Sequence, residues 1–158
     1  MTIHRAVRAI WLLGAGVMLT ATTGCSGCGQ SSNVYVVPLS PSETNLKNIA
    51  LAYMDAHEKL GRGPKNAEEL KPFLKEFGNP DELLVSPNDQ EPYVIIWGVD
   101  PGRGGPTEYE GMWQILAYEK KGTGGKRAVT DIRGRPMTIL EADFSKLRFA
   151  GRHKPSSD

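Results

Sequence analysis

Two cysteines are the residues whose type and spacing point most directly to chemistry. Cys25 and Cys28 are the only cysteines among 158 residues. Their C-x-x-C spacing occurs in redox proteins, where a helix N-terminus lowers the thiol pKa, and in zinc sites. A redox pair follows a strand and opens a helix. A zinc site needs further ligands, but His4, His57 and His153 are widely scattered. The segments on either side of the pair must therefore decide its use.

The segment before the cysteines has the composition of an export signal. Residues 1–24 contain Arg5 and Arg8, no acidic residue, and about a dozen apolar residues between Ala9 and Leu19. This is the layout of a secretory signal. The apolar run is shorter than the roughly 20 residues that cross a bilayer. The segment after the cysteines is rich in Gly and Ser. Neither the strand before the pair nor the helix after it, which a redox motif needs, is therefore indicated.

The sequence TTGC, residues 22–25, resembles the lipobox of bacterial lipoproteins. There, a small residue precedes the cysteine that receives the lipid, although Thr22 stands where Leu is usual. The resemblance implies that Cys25 carries a lipid that holds the protein on a membrane. Ser26 is not the Asp that retains lipoproteins in an inner membrane, which favours the outer membrane, facing the periplasm or the surface. A disulfide or redox pair of Cys25 with Cys28 is the alternative.

The rest of the chain has the size of one domain. Without residues 1–24, 17 Lys+Arg and 18 Asp+Glu remain, so no concentrated basic surface is available and no nucleic-acid partner is expected. Hydrophobic residues make up 39% of the chain, enough for one modest core. We predict a signal at 1–24, a flexible tether at 25–41, a domain at 42–150 and a disordered tail at 151–158.

Apolar periodicity predicts helices before Gly78 and strands after Pro92. A helix over 42–60, capped by Ser42 or Thr44, has an apolar stripe formed by Leu46, Ile49, Ala50, Tyr53, Met54, His57 and Leu60. A second helix is capped by Asn66 and interrupted at Pro72. The later segments are predicted as an extended piece at 81–85, a turn at 86–90, strands at 92–99, 112–118, 128–132 and 137–140, and a helix at 141–149. This order predicts an α+β fold in which a long N-terminal amphipathic helix packs on a small antiparallel β-sheet.

Two segments resemble type IV pilin-like and type II secretion pseudopilin-like proteins. They are NLKNIALAYMDAHEKLGRGP, residues 45–64, and ILAYEKKGTGGKRAVTDIRGRPMTIL, residues 115–140. The resemblance implies a pilin-like globular domain. Many members carry a His and an Asp at the positions that are Thr123 and Arg133 here, so no ligand role is carried over. The chain lacks the long apolar helix that fibre subunits use to assemble, which implies a detached domain on a lipid anchor.

No catalytic set or cofactor site is predicted. GTGGK, residues 122–126, resembles a phosphate loop, but Arg127 stands where that loop needs Ser or Thr. Asn88, Asp89 and Glu91 supply oxygen atoms that suit either a calcium loop or a solvated turn.

The remaining candidates are aromatic and basic side chains. Tyr93, Trp97 and Trp113 are predicted to pack under the first helix, with an exposed aromatic patch for a partner as the alternative. His57 is predicted as a hydrogen-bonded residue at the buried edge of that helix. A candidate interaction surface, expected on neighbouring loops at one end of the sheet, consists of Lys120, Lys121, Lys126, Arg127, Arg133 and Arg135. It is either a solvated rim or a contact for anionic lipid or polysaccharide.

These observations predict an exported, lipid-anchored cell-envelope protein that binds a partner or has a structural role and is not an enzyme. One alternative is an accessory component of a type II secretion or pilus-like system, whose partners are envelope or secretion-machinery proteins. The other is a periplasmic thiol-redox protein that uses Cys25 and Cys28.

Overall fold

The computed structural model describes residues 37–103 and 114–155. Helix and sheet are mixed in this part of the chain, so the α+β class predicted from the sequence is confirmed. The elements follow one another as α1 (Pro41–Leu60), α2 (Ala67–Leu74), α3 (Pro80–Leu83), β1 (Val94–Ile95), β2 (Gln114–Tyr118), β3 (Lys126–Asp131), β4 (Pro136–Leu140), α4 (Glu141–Phe144) and β5 (Arg148–Phe149).

The first described helix, α1, begins with a capping box. Ser40 Oγ accepts a hydrogen bond from the Glu43 N–H, and the Glu43 carboxylate accepts one from the Ser40 N–H. This reciprocal pair satisfies N–H groups that a helix start leaves without partners. Ser42 and Thr44, the expected caps, lie inside the helix instead. Because α1 begins at Pro41, it is an internal helix and not the N-terminal one that was expected.

The second helix starts at the predicted cap. The Asn66 side chain accepts a hydrogen bond from the Glu69 N–H. The Glu69 carboxylate does not return this bond but binds Arg62 and the Lys65 N–H. Of the kink or restart predicted at Pro72, the restart is absent, since α2 continues through this residue.

Strand β2 lies at the centre of the sheet. β3 pairs antiparallel with one edge of β2, and β4 pairs antiparallel with β3. The other edge is shared, because β1 pairs with Ala117 and Tyr118 whereas β5 pairs with Gln114 and Ile115. Since β5 runs parallel to β2, the sheet is mixed and not wholly antiparallel as predicted.

Both faces of this sheet are covered. One face packs against α1 and α2 through a core that includes Leu46 and Tyr53. The other face packs against the C-terminal segment through a smaller cluster that includes Ile115, Tyr118 and Phe144. Strands buried on both faces have continuous apolar sequences, which explains why β2 lacks polar alternation.

Residues 80–83 form a helix where the sequence was interpreted as extended. Asn79 caps α3 by accepting a hydrogen bond from the Asp81 N–H, Pro80 takes the first helical position, and Glu82 adds a second acid in the first turn. All three features favour a helix start. The extended interpretation was therefore wrong for residues 81–83, whereas Val85 forms an antiparallel β-bridge with Pro92.

The strand predicted over 92–99 and the helix predicted over 141–149 are both shorter than expected. β1 contains only Val94–Ile95, because the chain turns at Gly98, whose φ is 72°. α4 stops at Phe144. The chain then extends into β5, whose backbone hydrogen-bonds with the edge of β2 that β1 leaves uncovered.

The C-terminal segment stays attached beyond residue 150, where the tail was predicted to begin. Ala150 is fully buried and starts a 3-10 turn that ends at Arg152. His153 Nε2 lies 2.9 Å from the Tyr118 hydroxyl oxygen. Its ring also packs edge-on against Phe149. Residues up to His153 therefore belong to the domain.

Candidate functional site

The six basic residues predicted to share one surface lie at two ends of the sheet. Four lie at the end where β2 connects to β3: Lys120, Lys121, Lys126 and Arg127. Arg133 and Arg135 lie where β3 connects to β4. Since β3 is antiparallel to both neighbours, these two ends are separated by its length, about 17 Å at ~3.3 Å per residue. The six residues therefore do not form one surface as predicted.

At the β2–β3 end, three of the cations have carboxylate partners. Lys120 and Lys121 both reach Glu91, with Nζ to oxygen distances of 3.4 and 2.6 Å. Arg127 forms two hydrogen bonds with Glu141, and its guanidinium lies 4.0 Å from the centre of the Phe144 ring. The side chain of Lys126 is exposed and forms no ion pair with any residue in 37–103 or 114–155.

At the other end, Arg135 has a structural role. It bonds to the fully buried Asp131 carboxylate, with an Nη2 to Oδ2 distance of 2.6 Å. The same carboxylate accepts the backbone N–H groups of Arg133 and Arg135. A buried carboxylate that loses its partner destabilises a fold strongly, so this pair holds the β3–β4 turn.

Residues 120–126, called the lysine loop below, are braced by the turn at residues 88–91. Asp89 Oδ2 accepts the N–H groups of Lys121 and Gly122 at 2.9 and 3.1 Å, and Oδ1 accepts the Glu91 N–H. Burial opposes ionisation of Asp89, but these backbone hydrogen bonds outweigh it and hold the pKa of the carboxyl below its ordinary value. The Thr123 hydroxyl adds a hydrogen bond to the carbonyl of the same turn. The lysine loop is thus fixed from one side.

The lysine loop also requires a glycine at its tightest point. Gly122 has φ 70°, and a Cβ on it would lie 2.3 Å from the Lys126 carbonyl oxygen. The loop therefore follows one tight path between β2 and β3.

A buried glutamate joins this loop to the start of α1. Glu119 is 1% exposed. Its Oε1 accepts hydrogen bonds from Ser42 Oγ, Ser86 Oγ and Asn88 Nδ2 at 2.5, 2.9 and 2.7 Å, and Oε2 accepts the Ala128 N–H at 2.8 Å. Such donors can satisfy a carboxylate without a cation beside it. One side chain thereby ties α1, the 86–90 turn, β2 and β3 together.

The tyrosine beside this glutamate extends the network. The Tyr93 hydroxyl lies 2.7 Å from Ser42 Oγ and donates to the Ser42 carbonyl. Burial raises the pKa of Tyr93 to about 12. The phenol therefore remains protonated and able to donate throughout the physiological pH range.

Ser86 and Glu119 are hydrogen-bonded, but they are not arranged to act as a nucleophile and its general base. Ser86 has no exposed surface and its hydroxyl is bonded to protein groups, so it is not presented to a substrate. Its oxygen also accepts the Asn88 N–H, and its proton points to Glu119. A nucleophile needs both access and an oriented base, and only the second condition is met.

A surface groove lies beside this network. Its volume is about 460 Å³. It is lined by Asn45, Asp81, Glu82, Val85, Ser86, Pro87 and Gln90. The two carboxylates on its rim are already engaged, Asp81 by Lys71 and Glu82 by Asn79. The groove therefore offers a mixed polar and apolar surface without a free charged centre.

The calcium candidate is occupied by protein groups. Asp89 binds backbone N–H groups, Glu91 binds two lysines, and the Asn88 amide donates to Glu119. Within residues 37–103 and 114–155, no group of three or more His, Cys, Asp or Glu is arranged to hold a metal ion.

The predicted aromatic and histidine positions are largely structural. Tyr93 is buried, and Trp97 stacks on Tyr53 with ring centres 6.5 Å apart. His57 Nε2 lies 3.2 Å from Asp100 Oδ1, which agrees with a hydrogen-bonded histidine at the edge of the core. Trp113 lies outside the described residues.

Sequence reasoning missed the buried network. Glu119 directly follows the apolar run of β2, and a charged residue next to a strand buried on both faces is a signal for a paired carboxylate. Its partners Ser42 and Ser86 carry no such signal, because they are 77 and 33 residues away in the chain.

The predicted lipid site and redox pair, Cys25 and Cys28, lie outside the described residues. Among the residues that are described, no helix is long and apolar enough to cross a membrane. No protein-family model, curated protein or solved structure matches the chain.

Proposed function

We propose that the protein is an exported, lipid-anchored module of the cell envelope that binds or positions a partner and does no chemistry itself. The observation that carries this proposal is where the domain begins. Its first helix opens with a capping box at Ser40, and its buried core starts at Leu46. Among the described residues, 37–45 add no side chain to that hydrophobic cluster, so the domain begins well after Cys25, and the proposal assigns the chain before it to a signal, a lipidated Cys25 and a tether.

Lipid labelling of cells tests the anchor. The wild-type chain should incorporate a palmitate analogue, Cys25→Ser should not, and Cys28→Ser is the matched control that should still do so. Unlabelled wild-type protein would contradict the proposal. Labelling that Cys28→Ser abolishes and Cys25→Ser retains would move the anchor to Cys28. Fractionation of the labelled membranes then tests the outer-membrane location that Ser26 favours.

The non-enzymatic part of the proposal is supported by how polar groups are used. Glu119, Asp89 and Asp131 each bind protein donors and are not presented to a ligand. The exposed cations Lys121 and Lys126 lie on a braced surface loop. This arrangement suits recognition of a surface better than catalysis.

The order of elements favours a second function, that of an accessory to a type II secretion or pilus-like system. A long helix is followed by strands that pack on it, which is the order that the pilin-like resemblance implies. Crosslinking in intact membranes followed by purification tests this function. Recovery of secretion or pilus components would support it, and their absence from crosslinked samples would count against it.

A thiol-redox function for Cys25 and Cys28 is tested separately. Mass spectrometry of the mature N-terminus distinguishes the two uses of these cysteines. A lipid mass on Cys25 supports the anchor, whereas an unlipidated Cys25 joined to Cys28 supports redox chemistry.

A further inference from the structure

The lysine loop and the start of the described chain lie at the same end of the domain. Ser42 in the first turn of α1 bonds to Glu119, and the loop begins at the next residue. Glu43, also in that turn, bonds to the Thr138 hydroxyl of β4, whose end pairs with Lys126. The point where the upstream chain joins the domain is therefore next to the lysines. The two arginines at the other end of the sheet are remote from it.

The length of chain before this point is short. Eleven residues lie between Cys25 and Val37, and each step along the chain spans at most about 3.5 Å, which limits the reach to roughly 40 Å. Val37 is 81% exposed and does not fold back onto the described domain. A lipid on Cys25 would therefore hold this end of the domain within a short distance of the bilayer.

The lysines suit a surface covered with phosphate groups. Lys120 and Lys121 side chains are 46% and 62% exposed, and their ion pairs with Glu91 lie at the surface. Exposed ion pairs are weak because water screens them, so phosphates can compete with the Glu91 carboxylate. Lys126 extends the same loop. The hydrogen bonds that the Lys121 and Gly122 N–H groups donate to Asp89 fix the backbone, so little conformational entropy is lost when the loop docks.

We propose that the lysine loop docks on an anionic phospholipid surface, so that the end of the domain next to the tether faces the bilayer. This inference rests on the proposed lipid anchor, because the short chain to Cys25 supplies the high local concentration that three lysines need. Lipid phosphates are the ligand, and Lys120, Lys121 and Lys126 are the contacts.

Amine labelling of the intact lipidated protein tests this proposal. The protein is reconstituted in vesicles of phosphatidylcholine alone or mixed with phosphatidylglycerol, and lysine acetylation is followed by mass spectrometry. The three loop lysines should be acetylated about five-fold more slowly on the anionic vesicles, the factor that matches an attraction of about 1 kcal/mol for each lysine. High salt should remove this protection. The internal controls are Lys59 and Lys65, which lie at the end of α1 away from the lysine loop. Their acetylation rates should not change.

Vesicle flotation separates failure of the docking from failure of the anchor. Flotation with both vesicles but equal acetylation of all lysines would overturn the docking alone. Flotation only with the anionic vesicles would overturn the anchor and support the docking, and flotation with neither would overturn both. Protection by a soluble acidic polysaccharide and not by anionic vesicles would overturn the lipid proposal and assign the loop to polysaccharide.

Discussion

At the scale of single residues, Glu119 is the side chain that joins α1, the 86–90 turn, β2 and β3. We expect Glu119→Gln to lower the free energy of unfolding by about 2–3 kcal/mol. Whichever way the new amide turns, its NH₂ group meets a donor, the Ala128 N–H on one side or the Asn88 Nδ2 on the other. Urea denaturation measures the change.

The matched control for this substitution is Glu141→Gln. Glu141 is exposed, although its partner Arg127 is largely buried, and a glutamine oxygen can still accept a hydrogen bond from the guanidinium, so the substitution should change stability by about 1 kcal/mol or less. Equal destabilisation by the two substitutions would show that burial is not the reason why Glu119 contributes to the free energy of unfolding.

Asp89 makes the stability of the domain depend on pH in the acid range. Its pKa is lowered, because backbone N–H bonds to the ionised carboxylate outweigh the effect of burial. A carboxyl with a lowered folded-state pKa stabilises fully above its unfolded pKa, near 3.8, and this stability is lost as the pH falls through the folded value. We therefore expect Asp89→Asn to lower the thermal midpoint at about pH 7 and to lower it less at about pH 3. A difference that is the same at both pH values would contradict this account.

At the scale of elements, the turn after α1 depends on a glycine that touches backbone. A Cβ on Gly63 would lie 2.1 Å from the Val99 carbonyl oxygen and 2.7 Å from the Tyr53 hydroxyl. That hydroxyl binds both the N–H and the carbonyl of Val99, so the contact cannot relax cheaply. We expect Gly63→Ala to cost about 3 kcal/mol of unfolding free energy, measured by urea denaturation.

A neighbouring glycine provides the control. Gly61 ends α1 with φ 67° and has nothing within 4 Å of a Cβ. Gly61→Ala should therefore cost only the left-handed conformational penalty, about 1 kcal/mol. If the two substitutions cost the same, close packing at Gly63 is not the cause.

The elements that could be predicted are those whose signals are local. α1 carries its own apolar stripe and its terminal glycine, and α2 carries its cap at Asn66, so both were found within a few residues of their observed bounds. β5 could not be found in this way. Arg148–Phe149 becomes a strand only because the edge of β2 is uncovered at Gln114 and Ile115, and that opening exists only in the folded sheet.

At the scale of the whole molecule, the candidate surface was the hardest feature to predict. Basic residues close in sequence were expected to be close in space. The alternation of strand direction instead carries Arg133 and Arg135 to the end of the sheet away from the lysine loop. The buried network around Glu119 was equally hard to predict, because its partners come together only when α1 lies across the sheet.

The core of the described residues leads us to expect that the domain folds without the first 36 residues. Within 37–103 and 114–155, the buried side chains lie between Ser42 and Ala150, and no cysteine is among them. We expect a fragment of residues 37–158 to unfold in urea at the same midpoint as a chain that starts at Cys25, and neither midpoint should move when dithiothreitol is added. A lower midpoint for the fragment would mean that the upstream chain contributes to the core. A midpoint that falls with dithiothreitol only in the longer chain would reveal a Cys25–Cys28 disulfide that supports the domain, and would count in favour of the redox alternative over the anchor.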